Sequence, residues 1–447
     1  MTDSKSVKID REAMISKLKR YQWPLYAIVL LAYMLISFSR GAPAIMGPEL
    51  IKDLSLNAAQ WGLVGLTFFW AYALANAPSG GVIDAIGPRK SLLLCLLLIV
   101  LGCFVFSAGQ TLGMVILGRV LVAVGSAGLM LAGIKLISSW FTVRQFPLYY
   151  GCYVGIGGFG SVLATAPLQF LMNSYGWRNS FVIIAVGTLV MTVIAFLIVR
   201  DRPADIGLPT PDELAGEEVP QAEQSESKVG YWVAARGLVV LPAFWLIAFF
   251  NFGTNSTGQV IGSLWGGVLL ANVYGFDKAV VSSILTISAF GRVAGSVVAG
   301  AIARRIGTAG VMLSSAVIYI ITWLYMLFNL RSLSVAELQA VYTVLGFCEM
   351  YAIVGIISTV RSLVPSALVG TGVGLINTLG WVFGAGVFNQ VWGLIINSIS
   401  KGQTPYPVRA FEMAMWVQAC ALIVTLVCGI ILFRMLRKPK ADSPAAS

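Results

Sequence analysis

Five charged side chains lie inside long apolar stretches of this chain: Arg40, Arg119, Lys135, Arg292 and Glu349. A charge at the centre of a bilayer costs ~2.5–3.5 kcal/mol on insertion scales, so each must face a cavity, a partner or the membrane surface. Four of the five are basic, and that excess of cation predicts an anionic ligand. Arginine suits a carboxylate because its planar fork can bond both oxygens. Glu349 is the one acidic group placed deep in such a stretch, which makes it the candidate for exchanging a proton.

Arg40 lies more than half-way along the first apolar stretch, where it contacts substrate or makes a structural pair with Glu49 or a backbone carbonyl. Arg119 lies nearer the outer end of the fourth, with substrate contact and a structural role both open. Lys135 is near the cytoplasmic end of the same stretch and can snorkel to the interface. Arg292 either contacts substrate or forms a buried salt bridge with Glu349. The seventh stretch contains Asn251, Thr254, Asn255, Ser256, Thr257 and Gln259. That run is too polar to face lipid. Gly253 and Gly258 would let the helix break there, and unwound backbone at that depth is tolerated where it lines a cavity. Asn377 in the eleventh stretch points inward or bonds a neighbouring helix. Trp70 and Trp381 wall a cavity or simply pack.

A repeat relates these positions. Gly80, Asp84 and Gly87 recur as Gly300, Arg304 and Gly307, each pair 220 positions apart (80 to 300, 84 to 304, 87 to 307). A constant shift of about half the chain means two tandem structural halves. Two repeated bundles around a central site is a transporter architecture. The same shift carries Tyr72 to Arg292, and Arg40 to within a residue of Gln259. Tyr72 and Arg292 are then equivalent positions, one from each half, and Tyr72, Gln259 and Arg292 join Arg40, Arg119 and Asn377 as candidate substrate contacts.

The elements that must hold these groups follow from composition. The chain of 447 residues is 58% hydrophobic and 11% charged, with mean hydropathy +0.85. Soluble domains carry about a quarter charged residues, so this is an integral membrane protein. With ~20 apolar residues per crossing, the sequence predicts twelve helical spans: 23–46, 58–82, 90–108, 111–139, 148–172, 179–199, 240–271, 279–303, 309–329, 336–360, 369–397 and 409–434. The predicted organisation is a cytoplasmic segment 1–22, a six-helix bundle 23–199, a flexible polar linker 200–235, a second six-helix bundle 236–434 and a cytoplasmic tail 435–447. The linker reading rests on its Glu, Gln, Ser and Pro content, which cannot bury a core. The fold class is all-α, with two pseudo-symmetric bundles.

A net charge of +11 could indicate nucleic acid. Here most Lys and Arg fall in segments that this topology places on one side, as the positive-inside rule requires, with both termini cytoplasmic. The basic residues then meet membrane lipid, and no nucleic-acid partner is expected. The six cysteines fall within apolar spans without metal or disulfide spacing and read as core packing. The chain has no histidine. No cofactor, metal site or nucleophile–base arrangement is expected, and therefore no enzyme. The first 22 residues lack a secretory signal pattern. Glycine clusters in the fifth and eleventh spans fit close helix packing and bending alike.

The loop Gly80 to Lys90 resembles the signature G-x-x-x-D-x-x-G-x-R-[KR] of the major facilitator superfamily. Leu117-Gly118-Arg119 with Gly125 and Gly128, and Trp177-Arg178-Asn179-Ser180-Phe181, are similar to further patterns of that family, and the resemblance spans essentially the whole chain. It implies the major facilitator fold. It also implies that Gly80, Asp84, Gly87 and Arg89 control conformation, the Asp pairing with helix ends and basic groups, while Arg304 in the second copy cannot repeat that role. The stretch from Tyr33 to Arg40, with Phe68 to Ala73 and Gly87 to Lys90, looks most like the anion:cation symporter branch. That branch imports carboxylates, often with protons. Its usual acids on the first and fourth helices are Ser39 and Ser126 here, so Glu349 is the remaining proton-coupling candidate.

The expectation is a secondary active transporter of a small organic anion in a plasma membrane, a bacterial inner membrane foremost, with protons as the coupling partner. Proton-driven export of drugs or metabolites, anion exchange without proton movement, and a transporter-like sensor are the alternatives.

Overall fold

The computed structural model describes residues 2–215, 231–363 and 369–437. In chain order the helices are α1 (Thr2–Asp53), α2 (Ala58–Ile86), α3 (Pro88–Ser107), α4 (Leu112–Trp140), α5 (Phe146–Gly157), α6 (Gly160–Leu163), α7 (Ala166–Ile198), α8 (Pro211–Ala215), α9 (Tyr231–Val239), α10 (Pro242–Gln259), α11 (Gly266–Tyr274), α12 (Lys278–Phe328), α13 (Val335–Leu363), α14 (Val369–Leu379), α15 (Phe388–Ser400) and α16 (Val408–Arg437). A 3₁₀ turn spans Pro203–Ile206, and π-helical segments span Val260–Trp265 and Gly380–Val387. No strand occurs among the described residues.

Nine of the described stretches are long and apolar enough to cross a membrane. Twelve crossings follow from how three parts of the chain are broken. The stretches Leu148–Ile198 and Lys278–Phe328 are 51 residues each. An unbroken helix of that length would run about 75 Å, more than twice a ~30 Å hydrocarbon core. Each is interrupted at a glycine, Gly176 (φ 75°) in α7 and Gly307 (φ 75°) in α12, so each supplies two spans. The seventh span is α10, the first π segment and α11 in series. Gly87 has φ 87° and starts α3 with Pro88 in its first turn. Gly87 and Gly307, the two copies of the repeat, thus share a positive-φ turn that only glycine adopts without strain.

Lipid replaces water around such a bundle, and the surface reflects it. Leu74, Phe170, Val240 and Phe328 are largely exposed. Helix approach is set by small residues: a Cβ on Gly102 would meet Val122 at 2.7 Å, and one on Gly118 would meet the backbone of Phe106 at 2.7 Å.

The chain divides into two compact units, Met1–Ala42 with Trp70–Glu226, and Pro43–Phe69 with Ser227–Ser447. The second includes the end of α1 and the start of α2, which the sequence reading assigned to the first bundle. Within that unit a Cβ on Gly62 would meet the carbonyl oxygen of Asn389 at 2.7 Å, and one on Gly65 would meet Leu264 at 2.6 Å. The core of the same unit packs Phe244, Phe250, Met312, Ala352, Ile356 and Cys428.

Two expectations are corrected. Residues 200–215 open the segment read as a flexible linker, yet they are tied down. Asp201 Oδ1 accepts from Arg89 N at 2.7 Å, Asp212 Oδ1 from Val143 N at 3.0 Å, and the Ile206 carbonyl from Lys17 Nζ at 3.3 Å. Acidic side chains here satisfy backbone amides at the start of α3 and in the turn before α5, which composition alone does not reveal. Residues 216–230 lie outside the described residues. The cysteines do not all pack in the core: Cys95, Cys103, Cys348 and Cys428 are buried, whereas Cys152 and Cys420 are exposed on α5 and α16. A thiol is apolar enough to face lipid, so an apolar span does not distinguish the two.

Candidate functional site

The first unit places Arg40 against Tyr72. The guanidinium carbon stands 4.6 Å from the ring centroid, a cation–π geometry. Tyr72 is buried, and Arg40 is half-buried. Arg40 lies two residues before the point at which α1 passes into the second unit, and Tyr72 two residues after α2 returns from it. Tyr33 sits on the same side of α1 and packs against Tyr153 of α5, the rings tilted by 39° with centroids 4.6 Å apart. The electrostatic influence on Tyr33 comes from Arg40, Tyr72 and Tyr150. Tyr33 therefore links Arg40 and Tyr72 to the tyrosines of α5. The pattern reading found Tyr72 and missed Tyr33, Tyr150 and Tyr153, whose i, i+3 and i, i+7 spacing was the available signal.

Arg119 has a structural contact. It is 5% exposed, and its Nη1 donates to the Ser39 carbonyl at 2.7 Å. A guanidinium on α4 thus holds the backbone of α1 next to Arg40. Glu49, weighed as a partner of Arg40, forms its ion pair with Lys278. Lys135, read as snorkelling to the interface, pairs with Asp84. Arg89 donates Nη2 to the Phe196 carbonyl at 2.7 Å and lies over the Phe196 ring at 5.4 Å. The signature loop is thereby fastened to the helices of its own half.

The second unit joins three sequence-predicted residues. Arg292 Nη2 lies 3.1 Å from Glu349 Oε2 and donates to the Gly258 carbonyl at 3.0 Å. Gln259 Nε2 donates to Glu349 Oε1 at 2.8 Å. Glu349 is 1% exposed, and the Arg292 side chain is 16% exposed. Glycine creates the room. A Cβ at Gly258 would collide with the Glu349 carboxyl, and one at Gly262 with the Arg292 guanidinium. The break expected at Gly253 and Gly258 does not occur: α10 continues through both to Gln259, and the irregularity is the π segment that follows. Both glycines serve close approach instead. Gly253 faces Thr425 and Gly258 faces Glu349. A π turn widens the helix by one residue and often marks a functional position.

Other polar groups of this unit tie helices together. Gln418, fully buried on α16, donates to Ser256 Oγ at 2.7 Å and Thr257 Oγ1 at 2.8 Å. Asn251 Nδ2 donates to the Ile376 carbonyl at 2.9 Å. Asn377, the next residue, is half-buried. Trp381 stacks on Phe69 at 5.6 Å with a 12° interplanar angle. Gln418 was missed because a lone Gln in an apolar run carries no partner information.

The repeat predicted equivalent roles for the helix pair α1–α2 and the pair α10–α12. Each pair sets an arginine against its partner helix, but from opposite partners. In α1–α2 the cation is on α1 and rests on a ring of α2. In α10–α12 the cation is on α12 and rests on a carbonyl of α10. Among the described residues no group of three or more potential metal ligands comes together.

A family model described as Major Facilitator Superfamily matches residues 29–388. The chain is similar to the "Hexuronate transporter" of Escherichia coli (strain K12), 23% identical over 266 residues, 58% of this chain and 60% of that one. It is also similar to the "Probable L-galactonate transporter" of the same organism, 25% identical over 194 residues, 42% of this chain and 41% of that one. The chain thus spans between about two fifths and three fifths of the length of these two relatives. A solved bacterial homolog of the human lysosomal transporter Spinster, inward-facing and unoccupied, superposes with TM-score 0.75 at 18% identity, over 95% of this chain and 99% of that one.

Proposed function

The chain belongs to the Major Facilitator Superfamily, and on that premise we propose that it carries a small organic anion, a carboxylate of the sugar-acid class, across a bacterial inner membrane by alternating access. The observation that carries this reading is the charge of the interior. Among the described residues, Glu349 is the one buried carboxylate. Arg40 rests on the Tyr72 ring and Arg119 on a backbone carbonyl. Arg40, Arg119 and Arg292 lie in the apolar stretches alongside that one acid, an excess of cation that favours an anionic ligand. The hexuronate and L-galactonate relatives support a hydroxylated carboxylate in particular.

Arg40 and Arg292 are the proposed charge contacts, with Tyr72, Gln259 and Asn377 supplying ring and hydrogen-bonding surface. Arg119 contributes by fixing the α1 backbone beside Arg40. Glu349 is the proposed proton carrier, and Asp84 with Gly80, Gly87 and Arg89 the conformational switch. The basic flanks support cytoplasmic termini. Exchange of two anions without net proton movement is the second reading, favoured by Ser39 and Ser126 where related carriers have acids.

Purified protein in liposomes, offered radiolabelled galacturonate under an inward-directed pH gradient, tests the proposal. Accumulation above equilibrium that a protonophore collapses is the expected result. Uptake only against preloaded anion would select exchange. Transport of amphipathic cations with no carboxylate uptake would overturn the organic-anion reading.

A further inference from the structure

In the first unit, the start of α3 and the end of α7 bring three cations together at the edge of the lipid-facing surface. Arg89 Nη2 donates to the Phe196 carbonyl at 2.7 Å. Arg200 Nη1 donates to that same carbonyl at 3.4 Å and to the Val199 carbonyl at 2.9 Å. Two guanidiniums thus converge on one neutral oxygen. That oxygen lies in the last turn of α7, where carbonyls lack helical donors and the helix dipole favours a cation. A partial charge of that size does not balance two guanidiniums. Each of them carries five N–H donors, and bonds to two carbonyls engage few of these. Lys90, exposed beside Arg89, adds a third positive charge.

The acids of this corner do not neutralise the group. Asp201 Oδ1 accepts from Arg89 N at 2.7 Å, and Asp205 Oδ2 accepts from Asp201 N and Arg202 N, each at 3.1 Å. Both carboxylates are turned to backbone. Residues 88–90 and 200–205 together hold four cations (Arg89, Lys90, Arg200 and Arg202) and these two acids. Among the described residues, Arg89, Lys90 and Arg200 form no ion pair.

Beside the cations the surface is apolar. On α3, Leu94, Leu97 and Leu101 follow Lys90 at i+4, i+7 and i+11, the spacing of one helix face, and all three are exposed. Val193 and Phe196 of α7 are exposed as well. The span Pro88–Ser107 begins at this corner and the stretch Leu148–Ile198 ends there. The cations therefore stand where hydrocarbon gives way to headgroups, on the side that the basic flanks assign to the cytoplasm.

We propose that this corner binds the phosphate of an anionic phospholipid of the cytoplasmic leaflet, with Arg89, Lys90 and Arg200 as its cations and the leucines of α3 as the wall for an acyl chain. Guanidinium forks bond paired phosphate oxygens, and basic clusters at a span end attract anionic lipid. One lipid molecule reaches both halves of the site, the cations with its headgroup and the leucines with its chain. A soluble anion would use only the first half. The inference does not depend on which solute is carried.

The test uses delipidated full-length protein in detergent, with phosphatidylglycerol, phosphatidylcholine and inorganic phosphate as probes. Bound lipid is counted by native mass spectrometry, and binding is also read as a rise in melting temperature. One phosphatidylglycerol per chain is expected to bind in preference to phosphatidylcholine. Lys90→Gln should weaken it about fivefold, the effect of one basic residue near an anionic surface. Arg200→Gln should weaken it at least tenfold, the loss of a charge-assisted bond. Arg89 stays intact because it belongs to the proposed switch. Lys19→Gln with Arg20→Gln removes two exposed cations from the same side of the membrane and should leave the bound lipid unchanged. Lys90 is exposed and bonds no described residue, so Lys90→Gln keeps the test decisive if Arg200→Gln folds poorly. Equal loss in Lys90→Gln and in the Lys19, Arg20 variant would reduce the site to diffuse surface charge and overturn the proposal. Equal binding of phosphatidylcholine, or the same melting shift from inorganic phosphate alone, would overturn it too.

Discussion

Asp201 Oδ1 accepts the backbone hydrogen of Arg89 at 2.7 Å and so closes the N-terminus of α3 from a position more than a hundred residues away. The carboxylate satisfies an amide that the helix itself cannot, and it sits at the positive end of the helix dipole. Removing a cap costs ~0.5–2 kcal/mol. Asp201→Ala should lower the melting temperature in detergent and free residues 200–215 for proteolysis, while Asp201→Asn keeps an acceptor and loses less. Equal melting temperatures and identical digestion of wild type and Asp201→Ala would refute the clamp.

Arg40 and Tyr72 should separate charge from ring. Arg40→Ala removes the cation and should weaken galacturonate binding at least tenfold, as expected from losing a charge-assisted bond of ~1.5–3 kcal/mol. Tyr72→Phe keeps the ring 4.6 Å beneath the guanidinium and retains the cation–π contact, so it should change affinity by less than about threefold. Calorimetric titration of both variants decides it. A larger loss in Tyr72→Phe than in Arg40→Ala would move the recognition from the guanidinium to the phenol hydroxyl.

Arg119 should behave as a structural residue. Its bond to the Ser39 carbonyl, at 5% exposure, is worth ~1.5–3 kcal/mol as a charge-assisted contact. Arg119→Ala should therefore lower thermal stability markedly, and its binding loss should be recovered in part by conditions that restore the fold, such as added lipid. A fully stable Arg119→Ala that binds no anion would instead make Arg119 a direct substrate contact.

How much of this was legible in the sequence depends on the range of the signal. The apolar runs and the 220-residue repeat gave the spans and the paired turns at Gly87 and Gly307, because membrane crossing and positive φ are local requirements. The pairing of Arg292 with Glu349 was readable because charges buried in lipid must find each other. The cap from Asp201 and the bond from Gln418 were not readable, since a donor and acceptor far apart in sequence leave no periodic trace. Gly253 and Gly258 misled for a related reason: a glycine for close approach and a glycine for a break look alike until the neighbour is known.

The glycines of α2 should control access at the ends of α1 and α2. Within their unit, a Cβ on Gly62 meets the Asn389 carbonyl at 2.7 Å. Small residues of this kind let helices touch in lipid. Gly62→Val should loosen the packing of residues 43–69 on α15. In a cysteine-free background, a cysteine at Ala58, which is fully buried, should then react with a maleimide several-fold faster. Unchanged labelling would show that this contact does not gate access.

Asp84 and Lys135 offer the sharpest separation between stability and rate. Their side chains are 67% and 41% exposed, and an exposed ion pair contributes only ~0–1 kcal/mol to stability. Neutralising either residue should leave the melting temperature within a degree or two. The family signature nevertheless assigns Asp84 to conformational control, so the pair should matter where two states compete. A bias of ~1.4 kcal/mol between such states changes their ratio tenfold. Asp84→Asn should slow galacturonate uptake about tenfold with binding affinity little changed, and Lys135→Gln should do the same. The exchanged pair, Asp84→Lys with Lys135→Asp, should recover much of the rate, because it restores attraction across the same two helices. If the single variants transport normally, the pair is an incidental surface contact. If the exchanged pair stays slow while both singles are slow, Asp84 acts through a partner other than Lys135.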